Sequence, residues 1–157
     1  QDDSPAMPTA EKDFREICFG RAEGSTSQQI VAEYDHGFDK TMQAEAVVYV
    51  DTIEKFGFDG LMDLFKKNDP LHLAEDSAEF NQRLTHGLNM IRETFKAGDN
   101  VLVVTHGSLM RALANKFQSA ELASHKLDNG AISKLIFEPK KDGRVTIAAW
   151  NDTEKIW

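Results

Sequence analysis

At 157 residues, with a hydrophobic fraction of 41% against 28% charged, the chain has the size and balance of one soluble domain that can bury a sizeable core. Its 18 basic and 26 acidic side chains leave a net charge of -8, which excludes the electrostatic footprint of a duplex nucleic-acid binder or of a protein drawn to an anionic membrane surface. Cys18 is the single cysteine, so no intrachain disulfide or zinc-finger spacing exists, and a reducing, cytoplasmic setting is expected.

The opening Gln1-Asp2-Asp3-Ser4-Pro5 reads as the middle of a loop and carries no initiator Met, as expected of a chain recorded from within a longer protein. Phe14 to Gly20 is a short mixed run that ends in glycine, placed on a loop or short extended piece. Thr26 or Ser27 can cap a helix through Ile30, Val31 and Tyr34. From Thr41 to Phe65 helical spacing is interrupted by Gly57 and Gly60, which predicts two short helices. Ser77 then starts the clearest helix: Phe80, Leu84, Leu88, Ile91 and Phe95 recur at intervals of one helical turn, and Gly98 stands where a C-terminal cap is expected.

Val101-Leu102-Val103-Val104 is a mostly β-branched run of the kind found in strands buried on both faces. Thr105-His106-Gly107 leads from it into a helix through Leu109, Leu113 and Phe117. The C-terminal runs Ala131–Phe137 and Arg144–Trp150 read as strands, and Asp142-Gly143 between them is a hairpin signal. There is no internal repeat and no apolar run that approaches a membrane span, and no signal peptide is visible. One α/β domain over residues 1–157 is the expected organisation.

His106 is the strongest candidate for chemistry. It sits between a predicted strand and a helix N-terminus, the edge at which ligands bind in open α/β sheets and where free N–H groups favour a phosphate. Gly107 lets a ligand approach the backbone and Ser108 can cap the helix, although Thr105-His106-Gly107 would serve equally as a plain βα turn with a polar residue in it. Glu16, a carboxylate in an apolar run beside Arg15, suits a general acid; taken by itself it is better read as a surface glutamate paired with that arginine. His36, His72, His86 and His125 lack metal-ligand spacing and read as solvated. Arg21, Arg111 and Lys116 can add positive charge to a pocket, or stand as ordinary surface residues.

Together these pieces resemble one family. Phe14-Arg15-Glu16-Ile17-Cys18-Phe19-Gly20-Arg21-Ala22-Glu23-Gly24 resembles the "L-R-E-x-x-F-G-x-x-E-G" stretch of the histidine phosphatase superfamily, which includes cofactor-dependent phosphoglycerate mutases. Val101 to Ala112 resembles its strand, His-Gly and helix with the second active-site histidine. Glu75-Asp76-Ser77 resembles its "G-E-S" helix start, and Asn129 to Ser133 and Trp150 to Thr153 resemble its last strands. The likeness runs over about residues 12–155 in family order.

The resemblance implies a three-layer α/β/α fold with a mostly parallel central sheet, incomplete at its N-terminus, and a helical lid over 28–75. It implies a phosphoryl group passed to a histidine and then to water or to another hydroxyl. Glu16 would be the proton donor and later the base, and His106 and the Gly107 N–H would hold the phosphoryl oxygens. Ser108 would border the substrate, and Phe19, read from the sequence, can offer it an apolar wall or belong to the core. No cofactor or metal is expected.

The family's Arg-His-Gly strand, with the nucleophile, and its "C-S-x-x-x-R-A" stretch occur nowhere in residues 1–157. A missing N-terminal segment is therefore an expected partner, alongside a small phosphorylated substrate, and a homo-oligomer is left open. A phosphatase is favoured over a mutase because Glu33-Tyr34-Asp35-His36-Gly37-Phe38-Asp39 is acidic, where a mutase would place basic residues for a bisphosphorylated cofactor. A non-catalytic phospho-ligand-binding relative is the reading from a different class. It is less favoured, since losing a whole strand damages the fold as well as the chemistry.

Overall fold

The periodic stripe after Ser77 organises the molecule. In the computed structural model, which describes residues 7–33, 47–117, 122–123, 127–138 and 144–154, four α-helices precede a hairpin. They are α1 Ser27–Glu33, α2 Val47–Asn68, α3 Ser77–Thr94 and α4 Gly107–Phe117, followed by β1 Ile132–Phe137 and β2 Val145–Asp152. Short 3-10 turns at Lys12–Phe14 and Gly20–Ala22 flank the Glu16 segment.

Local chemistry explains where the helices start and stop. Thr26 and Gln29 cap α1 reciprocally: the Gln29 N–H donates to Thr26 Oγ1 at 3.3 Å, and the Thr26 N–H donates to Gln29 Oε1 at 2.8 Å. α2 is two helices run together across Gly57, whose φ of 75° breaks the helical geometry; Gly60 does not interrupt it. Asp76 and Glu79 form a capping box at the start of α3. α3 ends at Phe95, whose extended backbone is the C-cap, so Gly98 is not the cap the sequence predicted. Gly98 instead takes φ of 96° in a turn closed by Asp99 and Lys96.

The core forms where α3 meets its neighbours. Phe80, Leu84 and Leu88 are buried with Phe14 and Ile17, with Phe58 and Met62 of α2, and with Leu109 and Leu113 of α4. Each fully buried Phe or Leu contributes about 1.5–3 kcal/mol relative to an exposed one, so this cluster fixes how α2, α3 and α4 meet. Phe95, the last member of the predicted stripe, lies beyond the helix and is exposed.

The chain is α/β, but its sheet differs from the predicted one. The sheet of the described residues is β1 paired antiparallel with β2, Phe137 opposite Val145 and Ile132 opposite Asp152. The predicted Lys140–Gly143 connection lies outside the described residues, as do Tyr34 and the start at Gln1. Residues 101–104, expected as a strand buried on both faces, join no ladder; Leu102 and Val104 are 83% and 87% exposed. The physical reason is that β preference is realised through cross-strand pairing and burial, and no described segment pairs with this run. The three-layer arrangement with a mostly parallel sheet is thus not what the described residues form. No described helix is long and apolar enough to cross a membrane.

Candidate functional site

Two segments far apart in sequence meet at the N-terminus of α4. The first turn of a helix leaves N–H groups without partners inside the helix, and an anion there is favoured by the helix dipole. Glu16 supplies that anion. Its Oε2 accepts from the Ser108 N–H at 3.1 Å and its Oε1 from the Leu109 N–H at 3.1 Å. Oε1 also accepts from the Ile17 N–H at 3.0 Å, which fixes the carboxylate against its own backbone. The Thr105 hydroxyl donates to the Phe14 carbonyl at 2.7 Å and ties the same two segments a second time.

His106 stands immediately before this capped turn. Its carbonyl accepts the Met110 N–H at 3.1 Å, which places it at the N-cap position of α4, with its side chain exposed. Gly107 is exposed too, and a Cβ there would meet nothing within 4 Å. The structure therefore brings Glu16 and the His106-Gly107-Ser108 turn together, with the histidine and glycine open to a ligand. Ser108 was expected to cap the helix, but it is the second helical residue and the cap comes from Glu16.

Phe19 is held differently. Its ring packs edge-on against Phe65, centroids 5.0 Å apart at 66°, and it is partly buried between two apolar clusters. Its N–H donates to Glu23 Oε1 at 2.7 Å. Arg21 and Lys116 are exposed, and the Arg111 guanidinium donates to the Ala123 carbonyl at 2.7 Å.

Behind Glu16 lies a buried ion pair for which the sequence reading assigned no role. Arg83 of α3 meets Glu75 through two hydrogen bonds, Nε to Oε1 at 2.6 Å and Nη2 to Oε2 at 2.8 Å. Both side chains are buried, at 9% and 8% exposure, and the guanidinium also stacks 4.6 Å from the centre of the Phe80 ring. Arg15 adds a bond to Glu75 Oε1 at 2.8 Å, and the Cys18 N–H one to Oε2 at 3.1 Å. Burial alone would raise the Glu75 carboxyl; the Arg83 and Cys18 hydrogen bonds and both arginine charges outweigh it and hold the group below the usual carboxylate range.

A second buried carboxylate braces the segment after Phe19. Asp69 accepts N–H bonds from Leu71 at 3.1 Å, Leu73 at 2.7 Å and Ala74 at 2.8 Å. Burial pushes its carboxyl up, and these donors together with the Arg21 N–H pull it further down, leaving it below its ordinary value. Gly20, at φ of 59°, packs so closely that a Cβ would lie 2.1 Å from Asp69 Oδ2, so only glycine fits there.

Of the other histidines, His36 and His125 lie outside the described residues, and His72 is exposed in a loop at φ of 53°. His86 is not simply solvated: although 76% exposed, its Nδ1 is 2.5 Å from Oδ2 of the buried Asp13. The hydrogen bond to Asp13, with the Asp13 charge, raises the His86 pKa above its ordinary value. Among the described residues, no group of three or more His, Cys, Asp or Glu side chains is placed to hold a metal ion.

Comparison with known proteins identifies a family. The family model described as histidine phosphatase superfamily (branch 1) matches residues 59–153, from the second half of α2 to the end of the hairpin. The match contains His106, Gly107 and Ser108 and begins beyond Glu16 and Phe19. No curated protein and no solved structure matches the chain.

Proposed function

The chain belongs to the histidine phosphatase superfamily, and from that premise we propose that the intact protein hydrolyses a small phosphomonoester through a phosphohistidine intermediate. The observation that carries this reading is the Glu16 carboxylate on the first N–H groups of α4, next to the His106-Gly107 turn. A carboxylate, an exposed imidazole and a helix N-terminus in one place are what phosphoryl transfer asks of a protein, namely a proton donor and donors for the equatorial oxygens.

In this reading the nucleophilic histidine lies on an Arg-His-Gly strand outside residues 1–157. Its ring nitrogen bonds to phosphorus while the bond from phosphorus to the ester oxygen breaks, and Glu16 gives that oxygen its proton. Water then attacks the phosphohistidine, Glu16 takes its proton, and inorganic phosphate leaves. The His106 ring and the Gly107 N–H hold the equatorial oxygens as their charge is redistributed. An arriving phosphoryl group competes for the α4 N–H groups that Glu16 occupies, and the displaced carboxylate takes up a proton from solvent, the proton it then gives to the leaving oxygen. Ser108 contributes its backbone N–H, and Phe19 an apolar edge beside the substrate.

The same proposal assigns residues 101–104 to a parallel central sheet in the intact protein, the missing segment covering their exposed apolar side chains. Helices within 28–75 form the lid, with the part after Gly57 anchored in the core through Phe58, Leu61 and Met62. Hydrolysis is favoured over mutase chemistry by the acidic stretch from Glu33 to Asp39.

The test is Glu16→Gln in the intact protein, assayed on an aryl and on an alkyl phosphate. A phenolate leaves without help and an alkoxide does not, so the expected result is a loss of about 10²–10⁴ on the alkyl substrate and a much smaller one on the aryl. Equal losses on both would show a structural role for Glu16.

A further inference from the structure

We infer that Arg83 is a positioning residue for Glu16, setting from within the core where the carboxylate stands; this rests on the phosphatase reading for its consequence in turnover. The guanidinium donates five hydrogen bonds, one for each of its N–H groups. Besides its two bonds to Glu75, Nη1 donates to the carbonyls of Asp13 at 2.8 Å and Arg15 at 3.0 Å, and Nη2 donates to the carbonyl of Glu16 itself at 3.2 Å. One rigid planar group therefore holds three carbonyls of the strip that delivers Glu16, from a helix some 67 residues further along the chain.

Two features make this more than general packing. The carbonyls of Arg15 and Glu16 belong to the two peptide units that flank the Glu16 Cα, and the Asp13 carbonyl fixes the chain just before them. Glu75 holds Arg83 in turn and bonds the Cys18 N–H, so the clamp closes on both sides of Glu16. The carboxylate meets the Ser108 and Leu109 N–H groups only if this strip keeps its place relative to α4. A displacement of about 1 Å at a catalytic group is enough to cost about a hundredfold in rate, so the clamp bears directly on turnover. A lysine cannot replace it, because an ammonium point charge does not reproduce the planar fork.

The experiment compares the intact protein with Arg83→Lys, Glu16→Gln and the double variant. On an alkyl phosphate, Arg83→Lys is expected to lower kcat at least about tenfold with KM within about twofold, and to cause no further loss in the Glu16→Gln background. An arginine that merely stabilises the fold would reduce the Glu16→Gln variant by the same factor as the wild type, and losses that multiply in this way would overturn the inference.

A second readout does not depend on turnover. The amide resonances of Ser108 and Leu109, whose N–H groups Glu16 holds, should shift in Arg83→Lys in the direction they shift in Glu16→Gln. Ser108 and Leu109 resonances unchanged from wild type would overturn the inference. Shifted resonances in a protein that hydrolyses no phosphate would support it and refute the phosphatase reading alone. Should Arg83→Lys not fold, Glu75→Gln/Arg83→Gln removes both buried charges at once and carries the same expectations.

Discussion

Gly87→Ala should destabilise this protein, against the usual sign of a glycine-to-alanine change inside a helix. Gly87 lies mid-way along α3 at negative φ, where alanine normally gains about 1 kcal/mol. A Cβ at this position, however, would meet Phe14 Cζ at 2.9 Å, Asp13 Cβ at 3.0 Å and Phe14 Cε1 at 3.2 Å. Neither neighbour can easily retreat: the Phe14 ring is buried in the main core, and Asp13 is held by the Arg83 bond to its carbonyl and by His86. Overpacking of this kind costs about 1–3 kcal/mol, so the net effect is a loss of about 1 kcal/mol. For a chain of this size that lowers Tm by about 2–4 °C. Thermal unfolding followed by circular dichroism reads it directly. Phe14→Leu removes two of the three close contacts, so the penalty of Gly87→Ala should shrink by about 0.5 kcal/mol or more in that background. A Gly87→Ala protein that melts higher than wild type would refute the packing of α3 against the Glu16 strip.

Asp69→Ala leaves the buried Ala74 N–H without its acceptor and frees three further donors, and should cost about 3 kcal/mol in denaturant unfolding. Because the folded carboxyl is held below its unfolded value, its contribution is present above about pH 4 and lost as pH falls through the folded pKa. The gap in stability between wild type and Asp69→Asn should therefore close on acidification, and a gap that widens would contradict the assignment. His86 has the opposite sign. Its pKa is raised on folding, so the stabilisation is complete below about pH 6.5 and disappears as pH rises through the folded value. His86→Asn should thus melt below wild type at pH 6 and converge with it at alkaline pH, whereas a constant offset would assign the loss to packing.

Much of this was legible in the sequence, and the failures share a cause. The α3 helix from Ser77, the entry from His106 into α4 and the C-terminal strand pair each depend on local periodicity or on adjacent residues, and each forms, although Phe95 and Gly98 fall beyond α3 and the Lys140–Gly143 connection lies outside the described residues. The run at 101–104 does not, because a strand is stabilised by its neighbours rather than by its own β-branched residues. The pairing of Glu16 with α4 joins residues 92 apart, and no spacing rule reaches that far. Arg83 did leave a signal. It falls on the buried face of α3, between Phe80 and Leu84, where a charged residue must have a partner, and Glu75 lies just before the helix.

The central claim is that His106 acts on a transferring phosphoryl group, and the most direct test is the turnover of a generic aryl phosphate by the intact protein and by His106→Ala, both in chelator. The account predicts hydrolysis without added metal by the wild type and a fall of about 10²–10³ in kcat for the variant, with Tm little changed. Equal turnover by the two proteins would remove His106 from the mechanism, and no hydrolysis by the wild type would contradict the phosphatase reading itself.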